Sequence, residues 1–262
     1  MINPTYNGVL LAQSGNAVLS GDAQADVMTY PRAKGVLIRP SNIKQATLVL
    51  NCELVLAGDS DSKENQQHLL NEKLLSIASG TVAFDGLSIE NCVPESVSFN
   101  EVKNRSNYYT ITFAVGTQNT YTSLPNVTYN QLSNPADLGG FRYGTFAIDD
   151  MEPFYFGQRI DQLKSAKYTV IRKQKESWAY EYDVKMIGGV ETIKLTGWIV
   201  DTGREALQSF IYNAIFGPLG KMGTLTAGTD ATTYAFFQSI EMQSIIQGSM
   251  YWTATFLSTL KC

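Results

Sequence analysis

Two stretches of this chain, 143 residues apart, end in nearly the same strand. Tyr108-Tyr109-Thr110-Ile111-Thr112-Phe113 recurs as Tyr251-Trp252-Thr253-Ala254-Thr255-Phe256. The offset holds upstream: Gly80-Thr81 falls on Gly223-Thr224, Ser96 on Ser239 and Val97 on Ile240. Further back it becomes 145, where Thr47 falls on Thr192 and Gly58 on Gly203. A shared order of strand, Gly, helix cap, helix, Gly-Thr and three strands is the mark of a duplicated unit. A duplicated chain must build one architecture twice and then bury the faces that neither copy covers alone.

Each copy reads mainly as strands. In the first, Gly35–Arg39 and Ala46–Leu56 carry alternating or continuous apolar residues. Gly58 stops the second strand, and Asp61-Ser62-Lys63-Glu64 forms a capping box in which a short polar side chain meets a helix-start amide. The spacing predicts a helix over 62–78, with Leu70, Leu74 and Ile77 on one face and Leu69 and Leu75 widening it. Gly80 ends it. Strands follow at Thr81–Phe84, Glu90–Phe99 and Tyr108–Val115.

The second copy has its strand at Thr192–Val200 and a cap at Thr202-Gly203-Arg204-Glu205. Leu207, Phe210, Ile211, Ala214 and Ile215 stand at helical spacing up to Gly217-Pro218. Strands follow at Thr224–Ala227, Thr233–Ser244 and Ser249–Leu257. The fold class expected is therefore mainly β with α, an α+β chain in which one unit of strands and a single helix occurs twice. The organisation expected is an N-terminal arm at 1–33, a first domain at 34–116, a loop or insertion at 117–164 and a second domain at 165–262. The arm is polar and rich in Gly, Ala and Ser, with one short strand at Gly8–Ala12, and is either disordered or laid against a neighbour. Residues 117–144 are rich in Asn, Thr, Ser, Pro and Gly. Lys167–Arg172 and Trp178–Val184 flank a charged tip, giving a hairpin whose flat polar strands suit pairing with another subunit's sheet edge. Arg172, Lys173, Lys175 and Glu176 are its candidate inter-subunit residues.

Composition narrows the function. With 20 Lys and Arg against 24 Asp and Glu, the net charge is −4. Tight nucleic-acid binding needs clustered cations, whereas a mildly acidic surface lets DNA slide past. The three cysteines, Cys52, Cys92 and Cys262, are an odd number in a long chain, which reads as reduced thiols and no disulfide framework. Met1-Ile2-Asn3-Pro4 has neither the basic start nor the apolar core of an export signal. No apolar run reaches the length of a membrane span.

Chemical motifs are weak throughout, and no enzyme activity is expected. The only histidine, His68, falls in a Gln66-Gln67-His68 run that reads as an exposed helix surface and not as a general base. The cysteines are too far apart for a zinc site. Asp59-Ser60-Asp61-Ser62 lacks the glycine and distal Glu of a calcium loop. Asp149, Asp150 and Glu152 read as a solvated acidic loop. Gly217-Pro218-Leu219-Gly220-Lys221 has the wrong spacing for a phosphate loop and no Ser or Thr after the Lys. Gly139–Gly144 follows no convincing buried strand. Asn104 and Asn126 stand in glycosylation sequons that matter only after secretion. No catalytic residue, cofactor or metal ligand is assigned. The aromatic-Thr strands could stack bases, but no Lys or Arg is interleaved with them, so they read as strands with one buried and one exposed face.

The ordered set of strands, single helix and closing aromatic-Thr-x-Thr-Phe strand, used twice, resembles the tail-tube fold of long-tailed bacteriophages. Tube subunits, distal tail proteins and baseplate hubs share that fold. The resemblance covers about 34–116 and 165–260, rests on topology and includes no diagnostic residue. It implies two tandem tail-tube-like domains, each a small β-barrel or split sandwich with one packed helix, set side by side with their sheets joined into the wall of a conduit. Three tandem chains then make a pseudo-sixfold ring, with a hexamer as the alternative. The function it implies is structural: a virion component, assembled in the host cytoplasm, that lines the path of DNA and adapts tube to tail tip. Partners would be further copies and neighbouring tube, baseplate and tape-measure proteins, with DNA passing through unbound. Two other readings use the same residues. A carbohydrate- or receptor-binding module at the tail tip would use Trp178 or Trp198. A wall hydrolase would need a cleft with paired carboxylates, for which no motif is present.

Overall fold

A long strand that is apolar on one side can bury that side against a second layer or by curling until the sheet covers itself. This chain curls. The computed structural model describes residues 3–30, 35–55, 63–75, 79–84, 87–103, 106–116, 142–148, 154–174, 182–200, 217–246 and 249–260. Within the first half lie β1 (Thr5–Tyr6), β2 (Val9–Leu10), β3 (Ser14–Tyr30), β4 (Gly35–Val55), helix α1 (Lys63–Leu75), β5 (Gly80–Phe84), β6 (Leu87–Lys103) and β7 (Ser106–Val115). Within the second lie β8 (Arg142–Ala147), β9 (Phe154–Gln174), β10 (Tyr182–Val200), β11 (Met222–Ala227), β12 (Asp230–Ile246) and β13 (Ser249–Leu260). All thirteen strands belong to one sheet, in the order β11-β8-β9-β10-β13-β12-β3-β4-β7-β6-β5-β1-β2, and every pairing is antiparallel.

The expectation of an α+β chain with a packed helix in each domain is corrected by this architecture. The described residues form one nearly all-β antiparallel sheet with one short helix. The helix expected over 202–217 lies, but for Gly217, outside the described residues, as does the first capping box except for Lys63 and Glu64. The physical reason is strand length. Residues read as an arm and an insertion extend the ladder: β3 has 17 residues, β9 and β4 have 21 each, and β10 has 19. Strands this long can curl round and bury their own apolar side, which leaves little for a helix to cover. Helix α1 does bury Leu70 and Leu74, as its spacing predicts.

The ladder of the first half recurs in the second at residue level. Leu48 faces Phe113 as Ile193 faces Phe256, and Leu50 faces Ile111 as Leu195 faces Ala254. The irregularity between Pro94 and Ser96 recurs between Phe237 and Ser239. That between Gly80 and Val82 recurs between Gly223 and Leu225. At this second bulge Asn91 (φ 50) and Tyr234 (φ 57) occupy matching left-handed positions. Bulges bend a strand and raise its twist, so the same bulges curl both halves alike.

The correspondence reaches beyond the expected repeat. Ser20 faces Thr47 as Ser165 faces Thr192. Tyr6 faces Val82 as Phe146 faces Leu225. Hence β3 matches the main part of β9, β2 matches its first residues, and β1 matches β8. In the second half β11, β8, β9, β10, β13 and β12 close into a ring, because β12 also pairs with β11. In the first half the same circuit runs through β5, β1, β2, β3, β4, β7 and β6, and the chain itself bridges β2 to β3. Each ring encloses apolar side chains of a shared core, among them Leu48, Ile111 and Phe113 in the first and Ile193, Phe237 and Phe256 in the second.

Candidate assembly surface

The rings join along one seam. β12 pairs with β3 in the register Ser239↔Asp22, Ile240↔Gly21, Glu241↔Ser20 and Met242↔Leu19. Facing residues lie on one side of a sheet, so Ile240 and Met242 point inward with Leu19, and all three are buried. Ser239 and Glu241 point outward with Asp22 and Ser20. Eight neighbouring strands, from β9 through β10, β13, β12, β3, β4 and β7 to β6, thus present one continuous outer face.

That face is polar because the strands alternate. On β7 Tyr109, Ile111, Phe113 and Val115 are buried, and between them Tyr108, Thr110 and Thr112 are half-exposed. On β4 Leu48, Leu50 and Cys52 are buried, while Thr47, Val49, Asn51 and Glu53 face out. The outer side chains are tied across strands. Asn51 Nδ2 donates to Asn16 Oδ1 at 2.9 Å, and Thr110 Oγ1 donates to Asn51 Oδ1 at 3.0 Å. Glu53 accepts from Ser14 Oγ at 2.8 Å and from Tyr108 OH at 3.0 Å. In the second half Ser165, Thr192, Lys194, Ser239, Glu241, Thr253 and Thr255 line a shallow depression of about 290 Å³ with Leu163. Both signs of charge occur here, Glu241 near Lys194 and Asp22 beyond the seam, without a cluster of either.

A turn reinforces the seam. Gly217–Gly220 of the second half folds onto β3 and β4, and Leu219 within it is buried. Gly220 has a φ of +78, and a Cβ there would come within 3.0 Å of the Ala23 Cβ and 2.9 Å of the Lys44 Cε. Glycine meets both demands. Burial, with Lys221 nearby as a second cause, holds the Lys44 ammonium below its usual pKa.

Among the described residues no group of three or more His, Cys, Asp or Glu could hold a metal. His68 Nε2 lies 3.3 Å from Glu72 Oε1 on the exposed side of α1. Cys52 and Cys92 are free and buried, and burial pushes both thiols up to about 12. A thiol held neutral in this way is a packing group and not a nucleophile.

Of the expected hairpin strands, 167–172 and 182–184 are described, within β9 and β10, and there Arg172 faces Val184 and Lys173 faces Asp183. Lys175, Glu176 and Trp178 lie outside the described residues, as does the side chain of Trp198. Asp59–Ser62, Asp149, Asp150, Glu152, Asn104 and Asn126 also lie outside them. Sequence reasoning missed the seam itself. Its only trace is Ser20 matching Ser165 and Gln13 matching Gln158 at offset 145, too few identities to place β3.

No protein-family model matches the chain, and no curated protein matches it. Among solved structures it is similar to SPP1 Dit (gp 19.1), a protein described as a paradigm of the hub adsorption apparatus of phages that infect Gram-positive bacteria. The likeness spans 99% of both chains at 10% identity and a TM-score of 0.35. At that score it supports no functional statement about this chain.

Proposed function

We propose that this protein is a ring-forming structural component of a phage tail, in the tail tube or the baseplate hub, and that it works mechanically and not as a catalyst. The pairing of β12 with β3 carries this reading. It joins two rings of matched strand order into one sheet with a continuous polar face. A sheet extended in this way from ring to ring, and from chain to chain, is the wall of a conduit. A Ser- and Thr-rich face without clustered cations suits the passage of DNA, since strong binding scales with the number of phosphates neutralised. The resemblance of the duplicated strands to the tail-tube fold points the same way. In this reading three copies place six strand rings in one circle, with neighbouring tube, baseplate and tape-measure proteins above and below. The hairpin bearing Arg172, Lys173, Lys175 and Glu176 is a further contact between subunits.

Native mass spectrometry and negative-stain imaging of the purified protein test this. A closed ring with an open centre, at a mass of three chains or six, is the expected result. A protein that stays monomeric at high concentration, alone and mixed with tail partners, overturns it.

A further inference from the structure

Each seam strand has a counterpart in the other half, and over the matching stretch those counterparts have a described strand on one side only. β3 is flanked by β4 and by β12 at Leu19–Asp22. Its match β9 has β10 on one side over 160–174, and over the corresponding Lys164–Lys167 no described strand lies on the other. β12 has β13 on one side and β3 on the other at Ser239–Met242. Its match β6 has β7 on one side at Ser96–Phe99 and no described strand on the other.

Exposure follows this difference at the inward positions. Leu19 and Gly21 of β3 are buried, whereas their matches Lys164 and Ala166 are exposed. Ile240 and Met242 of β12 are fully buried, and their matches Val97 and Phe99 are only half-buried. Ser96 and Ser98 are exposed where Ser239 and Glu241 are half-covered. Matched residues of two like rings differ in burial according to whether a strand docks beside them.

We infer that β6 of one copy pairs with β9 of a second copy, repeating between chains the junction that β12 and β3 make within one. The inference rests on the ring-forming reading and specifies its contact. The register follows from the internal seam: Ser96↔Lys167, Val97↔Ala166, Ser98↔Ser165 and Phe99↔Lys164, with the second residue of each pair on the next copy. The two edges differ, so the contact is head-to-tail, and head-to-tail contacts build closed rings or open filaments and not isologous pairs. Edge amides and carbonyls that have no described strand beside them gain partners. Lys164 and Lys167 on one edge and exposed Glu95 on the other carry opposite signs and discourage pairing of either edge with itself.

The test is a disulfide between chains. In the full chain with Cys262→Ser, the double variant Ser98→Cys, Ser165→Cys is oxidised with copper phenanthroline in air. Facing residues in an antiparallel pair are within disulfide reach, whereas diagonal ones are about 7–8 Å apart and beyond it. The expected result is a closed covalent ring on a non-reducing gel, with each single variant remaining monomeric. Ser96→Cys paired with Ser165→Cys, two residues out of register, links little or not at all. Ala166→Asp, at an exposed position, dissociates the ring into folded monomers. A ring in native mass spectrometry without the link between positions 98 and 165, or with a link in a single variant, overturns this pairing and leaves the ring-forming reading standing. Monomers under all conditions overturn both.

Discussion

The two rings share a ladder but fill it with different side chains. Inside the second, Phe237 stacks on Phe256 at 4.6 Å, Phe146 and Phe156 crowd around them within 5.7 Å, and Trp252 lies 5.3 Å from Phe156. Inside the first, Tyr6 meets Phe113 at 5.3 Å, the same separation as the matching pair Phe146 and Phe256. Where the second ring has Phe146 and Trp252, the first has the buried tyrosines Tyr6 and Tyr109. Their hydroxyls donate to the Cys92 and Leu11 carbonyls. The strand explains the Tyr109 part of this difference. β9 runs unbroken through Phe156, whereas the matching strand breaks between β2 and β3 at 11–13. The break leaves the Leu11 carbonyl outside a strand, and the Tyr109 hydroxyl takes it up. A continuous strand satisfies its own backbone and allows a purely apolar core. A broken one needs a polar tip on a buried ring.

Truncation of the rings breaks this comparison most severely. Phe256→Ala should cost about 3–5 kcal/mol in urea unfolding. Phe113→Ala should cost about 1 kcal/mol less, because aromatic pairs add about 0.5–1.5 kcal/mol beyond their buried area. Equal losses would mean that the aromatic cluster adds nothing beyond area.

Next comes a size exchange between matched pairs. Cys52 faces Tyr109, and at the same place in the second ring Gly197 faces Trp252. A Cβ on Gly197 would stand 2.6 Å from the Trp252 ring, so the larger ring is matched by the missing side chain. Gly197→Cys should therefore cost about 1–3 kcal/mol. Adding Trp252→Tyr should restore much of it, with a coupling of about 1 kcal/mol or more in the double-mutant cycle. Strict additivity of the two changes would contradict the pairing.

Tyr109→Phe should cost about 1–2 kcal/mol, since it strands a buried carbonyl. A loss under about 0.5 kcal/mol would show that the break at 11–13 is satisfied by other means. The smallest effect belongs to the shared bulge. A bulky residue in the left-handed region is strained, and asparagine enters it at less cost. Tyr234→Asn should stabilise by about 0.5–1 kcal/mol and Asn91→Tyr should destabilise by a similar amount, both read from the urea midpoint. Opposite signs at the two sites sharpen the equivalence, and matching signs break it.

Much of the ladder was legible in particular residues. The Tyr108–Phe113 and Tyr251–Phe256 strands announce a unit used twice, and their alternation marks Ile111, Phe113, Ala254 and Phe256 as core. Leu70 and Leu74 were legible as a buried helix face. The first stave of each ring was not legible. β1 is two residues long, and its counterpart β8 differs from it in length and flanks. β3 and β9 share almost no residues, since a strand on the outside of its ring in one half and under a neighbour in the other meets different selection at every site. The positive φ of Tyr234 left no signal, because only Gly, Asn and Asp advertise that conformation.

The sequence by itself determined the local terms: which side of each strand is apolar, where glycines stop it, and that one strand pattern recurs. These are set by residue type and period, and a period survives in a list of letters. Only the tertiary structure decided that the strands close into rings, that β12 docks on β3, and that β6 and β9 keep open edges among the described residues. Those outcomes depend on accumulated twist, bulge position and register over long separations. Such quantities belong to pairs of strands, and no single strand encodes them.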